Sequence, residues 1–538
     1  MRSCFKLLAL VAASLSVAAC SSLKPQPVTP KEVTGIASAD RLALQRDVVP
    51  LTGPLRVEDA IARAIKYNAD RRVRRMEEAL AFDGMGAARY DMLPRLVASA
   101  GYRDRSNDLL TLSRDLSTGN VIGGQTISSS REATTTDLTF SWSLLDFGQS
   151  YYAAKQSADR YLIATERSRR ALHLLVQDVR TAFWRVAAAQ KLAGELKQAT
   201  QLGEAALADA RKIEAEGLRS PLEPLRYQRQ LLENLRLLEL VDQELSTARI
   251  ELAQLINAPR DVALTVVEPS TALNTAWLQM PVEQLEEQAL AQNAELRESV
   301  YNARIARLET RRTMLRMFPG LSFNYAVRNS DDRYLINQSW NEIGLQLSLN
   351  LLGLLQVPLQ KQMAEAGVKL ADQKRMSTQM AVLSQLHVAR LQYANAMRQY
   401  ERADSIAQVD ARIAQHVANQ EAAARQTQLE RVAQQTTAIL SQLRRYQTLS
   451  NAQAAASKLQ ASLGLEPALA GADSLPIDEL AARVTAALQA WEAGTVPKAP
   501  DADGPATPPH AGAQATPAPA TAKATTPRAT DVRTGPPA

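Results

Sequence analysis

No proline falls between Gly148 and Glu216. A proline inside a helix costs ~3 kcal/mol, so a long stretch without one can run as a single helix. Alanine, leucine, glutamine and arginine, all good helix formers, dominate this one. Small and apolar residues recur along it at alternating steps of three and four: Leu172, Leu175, Val179, Ala182, Val186, Ala189, Ala193 and Leu196. That is a heptad seam, the surface of a helix that lies along another. At ~1.5 Å per residue the helix reaches about 100 Å, far more than a globular core requires. The run Gly217, Leu218, Arg219, Ser220, Pro221 then stops it and starts another. Gly217 suits a left-handed C-terminal cap, Ser220 an N-cap and Pro221 the first helical position, and Glu223 completes a capping box. A returning seam passes Leu238, Val241, Leu245, Ala248, Leu252 and Leu255. Phe147 to Asn257 is therefore predicted to be one long antiparallel helical hairpin.

Composition agrees with an elongated body. Apolar residues make up 46% of the chain but aromatics only 5%, which favours helices packed through small knobs over a compact aromatic core. The net charge of +6 is modest for 538 residues. Arg71, Arg72, Arg74 and Arg75 cluster, but no stacking aromatics accompany them, so they read as a solvated helix face and not a nucleic-acid site. The two cysteines, Cys4 and Cys20, both fall within the first twenty residues, leaving the body without thiol chemistry. His173, His387, His416 and His510 are scattered, with no metal-ligand spacing. There is no phosphate loop and no nucleophile elbow. No catalytic residue, metal or cofactor is expected, and the chain does not read as an enzyme.

Residues 1–19 form a targeting segment. Arg2 and Lys6 make a basic start, Leu7 to Val17 a short apolar run, and Val17, Ala18, Ala19 and Cys20 close it. These four resemble the bacterial lipobox, which implies lipidation at Cys20; Ser21 and Ser22 after it imply the outer membrane. Residues 20–54 carry Pro25, Pro27, Pro30, Pro50 and Pro54 and are expected to be an extended tether.

The body, 55–467, is duplicated. Val57, Ala64, Asn68, Met92, Pro94, Leu96 and Arg103 recur at one constant offset as Val282, Ala289, Asn293, Met317, Pro319, Leu321 and Arg328. Ser143 and Gly148 recur as Ser348 and Gly353; Gly217, Ser220, Leu222 and Glu223 as Ala424, Thr427, Leu429 and Glu430; Leu255 and Pro259 as Leu463 and Pro467. One connection, between the two apolar segments of each copy, is about twenty residues shorter in the second, as befits a loop. The repeats are placed at 55–262 and 263–467. Each reads as helix, strand, loop, strand, long helix, turn, long helix.

The strands alternate with period two. Leu321, Phe323, Tyr325 and Val327 alternate with Ser322, Asn324, Ala326 and Arg328; Leu138, Phe140, Trp142 and Leu144 with Thr139, Ser141 and Ser143; Ile343, Leu345, Leu347 and Leu349 with Gly344, Gln346 and Ser348. Leu96 to Arg103 is less regular. A membrane strand and a half-buried soluble strand both show this pattern; the outer-membrane address selects the membrane barrel. Four strands cannot close such a barrel, whose smallest examples have eight, so a spanning sheet requires further copies of the chain. Strand counting leaves two and three copies both open. After the repeats, 468–493 holds a short helix from Pro476 to Ala493, and 494–538, rich in proline, alanine and threonine, is expected to be a disordered tail.

These residues resemble the TolC-like outer-membrane efflux proteins, most closely the lipoprotein branch. The resemblance rests on the lipobox, Leu93-Pro94, the segment Trp142-Ser143-Leu144-Leu145-Asp146-Phe147-Gly148, and the turn Gly217, Ser220, Glu223. It covers about 55–467. It implies a mostly α fold with a membrane β-barrel part: a homotrimer whose four strands per chain complete twelve, with an α-barrel of helical hairpins across the periplasm. It implies a passive outer-membrane channel of a tripartite export system, with a periplasmic adaptor and an inner-membrane transporter as partners. Gly217, Leu218, Arg219, Ser220, Pro221, Ala424, Arg425, Gln426 and Thr427 become adaptor contacts, and Glu430 a candidate for the periplasmic aperture. Thr427 and Glu430 also have the spacing of a capping box. Two positions depart from the family pattern: Ala424 where glycine is usual, and Asn350-Leu351-Leu352-Gly353 at the second strand-to-helix turn. The competing readings are a type I protein-secretion duct of the same fold and a pore-less lipid-anchored coiled-coil scaffold.

Overall fold

The computed structural model describes residues 26–216, 222–259, 264–268, 273–423, 425–465 and 474–494. The first repeat runs α2 (Val57–Tyr67), α3 (Ala69–Tyr90), β1 (Arg95–Asp104), β2 (Leu110–Arg114), β3 (Val121–Ile127), β4 (Glu132–Ser143), α4 (Leu144–Glu216) and α5 (Leu222–Leu255). The second runs α7 (Val282–Gln292), α8 (Ala294–Leu315), β5 (Gly320–Ser330), β6 (Ser339–Ser348), a 3-10 turn at Gly353–Gln356, α9 (Val357–Ala422) and α10 (Gln428–Ser462). α1 (Pro30–Gln45) precedes them, α6 (Ala276–Gln279) lies between them, and α11 (Ile477–Glu492) follows.

The opening helix of each repeat is in fact two helices broken at an asparagine. Asn68 and Asn293 are both extended, at φ/ψ of −61°/129° and −62°/125°. Asn68 Oδ1 accepts from Arg71 N (3.0 Å) and its amide donates to Leu255 O (3.1 Å). Asn293 Oδ1 accepts from Glu295 N and Leu296 N (2.9 and 3.1 Å) and its amide donates to Ser462 O (3.3 Å). One buried side chain thus caps the second helix and ties the break to the end of a long one. Asn68→Ala or Asn293→Ala is expected to cost about 1–2 kcal/mol. A denaturant midpoint lowered at constant slope would show it; an unmoved midpoint would contradict the double cap.

α4 is a 73-residue helix. Its seam is buried at Leu172, Leu175, Val179, Ala182, Val186, Ala189 and Leu196, but the expected Ala193 is exposed and Leu192 is buried instead. Two steps of three in succession, 186 to 189 to 192, shift the stripe, and it continues through Ala199, Gly203, Ala206 and Ala210. Such a stammer, an inserted step of three, locally overwinds the helix about its partners. The seam recurs in α9 at one constant offset: Leu175, Val179, Ala182, Val186 and Ala189 become Val382, Leu386, Ala389, Tyr393 and Ala396, all buried. α5 and α10 also stop alike. Asn257 and Gly464 take φ of 52° and 68°, the left-handed cap. At Gly464 a Cβ would also collide with the Gln292 carbonyl.

Each repeat has its own core. The first gathers Ile61 and Ile65 of α2, Val179, Phe183 and Val186 of α4, Leu252 of α5 and Ile256 just after it. The second gathers Trp277, Leu285 and Ala289 with Leu386 and Tyr393 of α9 and Leu459 of α10. α11 serves both, placing Leu480 and Val484 in the first and Trp491 in the second. Beyond these cores α4 packs on α5 and α10 through Leu192, Leu196, Leu238, Val241, Ile439 and Leu443.

The four long strands form one antiparallel sheet, ordered β1-β4-β5-β6. β2 and β3 form a separate ribbon within the longer connection of the first repeat, where a plain loop was expected. Its turn is built by Asp115, whose Oδ1 accepts from Ser117 N (2.7 Å) and Thr118 N (2.9 Å), and by Gly119 at φ 73°. A second correction concerns the tether. Residues 31–49 contain no proline, Pro30 takes a first-turn position and Thr29 accepts from Glu32 N (3.3 Å), so α1 forms where extended chain was expected. α1 buries none of its residues; at its end Asn257 donates to Leu44 O (2.8 Å). No described helix is long and apolar enough to cross a membrane.

Candidate channel wall

In an antiparallel sheet, residues directly opposite each other share a face. Leu96 faces Phe140, Phe140 faces Tyr325, and Tyr325 faces Ile343. Trp142, Phe323 and Leu345 make the next such row. That face is therefore apolar over the part nearer the helices, and it is open there: Leu96, Ile343, Leu345 and Leu347 are all about two-thirds exposed or more, while Thr136, Asn329 and Ser339 lie further along it. The opposite face carries Ser141, Asn324 and Gly344 in one row and Asp137 and Arg328 in another. On it Arg328 pairs with Glu342 across strands at 2.9 Å. Both borders of the sheet, β1 and β6, lack a further strand among the described residues. A water-soluble domain would cover such an apolar face, whereas a membrane strand presents it to lipid and turns its polar side to a lumen.

The end of the sheet away from the helices is tied by Asp332. Its carboxylate accepts from Ser130 N (2.8 Å), Ser129 Oγ (3.1 Å) and Tyr334 N (3.1 Å). Burial pushes its pKa up, but these hydrogen bonds outweigh burial and hold it at about 2. At the other end Gly148 lets α4 start against α8, since a Cβ there would come within 2.9 Å of Leu315 Cδ1.

Next to the sheet, α4 and α8 run antiparallel and join the two repeats by polar contacts. Asp159 pairs with Arg304 (Nε, 2.7 Å), Glu166 with Arg297 (2.8 Å), Arg167 with Glu298 (2.7 Å) and Arg170 with Glu295 (3.8 Å). Asp159 and Glu166 are buried, so these pairs set the register more than they add stability. One helical turn further, burial and the nearby Arg169 pull His173 down to about 4 from 6.5. Between those values the unfolded chain binds more protons, so this contribution is complete above pH 6.5 and falls toward pH 4, by up to about 3 kcal/mol. Glu166 has the opposite sign: burial raises it against Arg169 and Arg297, so its contribution is present at low pH and lost as pH rises. His173→Gln should flatten the stability–pH curve between 4 and 6.5. An unchanged slope in pH-resolved denaturation would contradict a buried neutral imidazole.

At the far end of the hairpins, Gly217, Leu218, Arg219, Ser220, Pro221 and Ala424 lie outside the described residues, as does Cys20. Arg425, Gln426 and Thr427 are exposed at the start of α10. Thr427 Oγ1 accepts from Glu430 N (3.2 Å) and so caps that helix. The half-buried Glu430 carboxylate accepts from Gln434 Nε2 (2.9 Å), one turn on. Arg431 reaches back to Glu421 at the end of α9 (2.9 Å). No group of residues suited to hold a metal occurs among those described.

The model of the outer membrane efflux protein family matches residues 60–258, the first repeat from α2 to the end of α5. Over both repeats the same fold recurs in the CmeC outer membrane channel of Campylobacter jejuni, at 12% identity and a TM-score of 0.57, covering 80% of this chain and 89% of that one. The first repeat belongs to the outer membrane efflux protein family. The open-state MtrE outer membrane channel of Neisseria gonorrhoeae is similar at 15% identity and 0.55, covering 75% and 90%; the outer membrane protein VceC of Vibrio cholerae at 14% and 0.55, covering 76% and 96%. No curated protein matches by sequence. The efflux-protein fold accounts for the two-faced sheet joined to long helices. The family consists of transport components, not catalysts. The β2–β3 ribbon, the double caps and the α4–α8 ion pairs were not foreseen. Of these only the ribbon had a local signal, the turn residues Asp115 to Asn120.

Proposed function

We propose that this outer-membrane channel is the exit duct of a tripartite export system, built from three copies and anchored by lipid on Cys20. The observation that carries this reading is a four-stranded sheet with one exposed apolar face and two open borders. Unpaired backbone groups at a border cost several kcal/mol each in lipid, and β6 of one copy beside β1 of the next removes them. Three copies make twelve strands, within the range of known barrels. The tips, 217–221 and 424–427, then meet a periplasmic adaptor that links the duct to an inner-membrane transporter. Glu430 of each copy lines the periplasmic aperture, where a ring of carboxylates would favour cations. Transport is passive, and the hairpins themselves gate it by shifting between two packings.

The experiment is purification of the full chain in mild detergent, its mass, and conductance in a planar bilayer. A trimer that conducts is expected; a monomer, or a trimer without conductance, would refute the duct. Sensitivity of a deletion strain to dyes, detergents and antibiotics would separate small-molecule efflux from secretion of one protein.

A further inference from the structure

The internal duplication lets one seam inside the chain serve as the template for a seam between copies. α4 meets α8 through Gln156, Asp159 and Glu166: Gln156 Nε2 donates to Ile305 O (3.4 Å), Asp159 pairs with Arg304, and Glu166 with Arg297. Ile163 lies on the same face, and Tyr301 is its counterpart midway along α8. The offset that superposes the buried seams of α4 and α9 carries Gln156, Asp159, Ile163 and Glu166 onto Met363, Ala366, Leu370 and Gln373. The offset between the paired short helices carries Arg297, Tyr301, Arg304 and Ile305 onto Arg72, Met76, Ala79 and Leu80.

The two mapped surfaces are unlike their templates. Met363 and Leu370 are 67% and 57% exposed, and Met76 and Leu80 are 66% and 73% exposed. Within the chain α9 turns another face to α8: Asp372 pairs with Arg307 (2.7 Å), just as Thr165 of α4 bonds Glu78 of α3 (3.1 Å). The stripe on α9 and the stripe on α3 thus both remain open. They also continue from the two open sheet borders, since α3 leads into β1 and α9 follows β6.

We propose that these stripes are the two sides of the subunit seam: Met363 of one copy lies against Leu80 of the next, Leu370 against Met76, and Gln373 beside Arg72. The occupant is a second copy of this chain, because one copy set by the duplication closes both the helical stripe and the sheet border. The wall then alternates two chemistries. The α4–α8 seam within a chain is ion-paired; the seam between chains is apolar at its centre, with the exposed Ala366 where Asp159 stands, while Ala79, the counterpart of Arg304, stays buried within its own chain. This inference rests on the multi-copy reading above and adds its register.

Cysteine pairing tests it. A disulfide needs Cα atoms within about 7 Å. The full chain carrying Met76→Cys with Leu370→Cys, mildly oxidised in detergent, is expected to run as a covalent trimer that reduces to monomers. Met76→Cys with Leu359→Cys is the control, on the same helix but displaced about 16 Å along it, and should not cross-link. A trimer by mass that fails to link through 76 and 370, or that links equally through 76 and 359, overturns the register and leaves the duct intact. A monomer by mass overturns both. All three positions are exposed in the chain, so a loss of linking cannot be charged to a broken core.

Discussion

Trp277→Ala is expected to lower the unfolding free energy by about 3–5 kcal/mol. Trp277 is fully buried. Its ring stacks on Trp491 at 4.2 Å and 16°, and its Nε1 donates to Trp491 O at 2.7 Å. The alanine variant loses buried area, leaves a cavity and removes one of the hydrogen bonds to the Trp491 carbonyl, which Gly494 N still holds (3.0 Å). The loss spreads, because α11 belongs to both cores: freeing Trp491 also loosens Leu480 and Val484 in the first repeat. Trp277→Phe keeps most of the ring but not the donor, so about 1–3 kcal/mol is expected. Denaturant unfolding would measure both, and faster proteolysis at α11 should accompany the larger loss. A cost below 1 kcal/mol for the alanine variant would mean that α11 is not the clasp between repeats.

The second large effect concerns the membrane. Leu345→Arg is expected to keep the protein out of the outer membrane, whereas Gln346→Arg, one residue on, should insert normally. Leu345 pairs with Phe323 on the apolar face and is 73% exposed; Gln346 pairs with Ser322 on the other face. An arginine on the lipid face costs about 2–4 kcal/mol at the bilayer midplane, and each copy in the barrel would bear it. Fractionation of membranes from cells expressing each variant reads the difference. Equal insertion of both would show that the faces had been exchanged or that the sheet lies outside lipid.

Much of this was legible because the relevant signals are periodic. The heptad in α4, the alternation in β4, β5 and β6 and the constant offsets between repeats each extend over many residues, so a single exception does not hide them. Ala193 shows the limit: a heptad template continues past a stammer that only packing against α5 and α10 decides. The α1 helix was missed because prolines at its borders were read as filling it. The double role of Asn68 and Asn293 needs partners 187 and 169 residues away, Leu255 and Ser462, which no local pattern names. The ion pairs between α4 and α8 likewise join ordinary-looking arginines and carboxylates that only the fold brings into register. The tips show the opposite case. Their capping chemistry is plain in the residues, but Thr427 and Glu430 serve a helix start equally well with or without an adaptor, so the role cannot be read from the cap.

The two-faced sheet is the claim on which the rest depends, and water access from within the pore tests it most directly. Asn324→Cys places a thiol on the polar face, opposite Ser141 and Gly344; Leu345→Cys places one on the apolar face. In a planar bilayer, a charged thiol-directed reagent added from the aqueous side is expected to change the conductance of the Asn324→Cys channel and leave that of Leu345→Cys unaltered. Modification of Leu345→Cys with Asn324→Cys untouched would contradict the assignment of lumen and lipid faces.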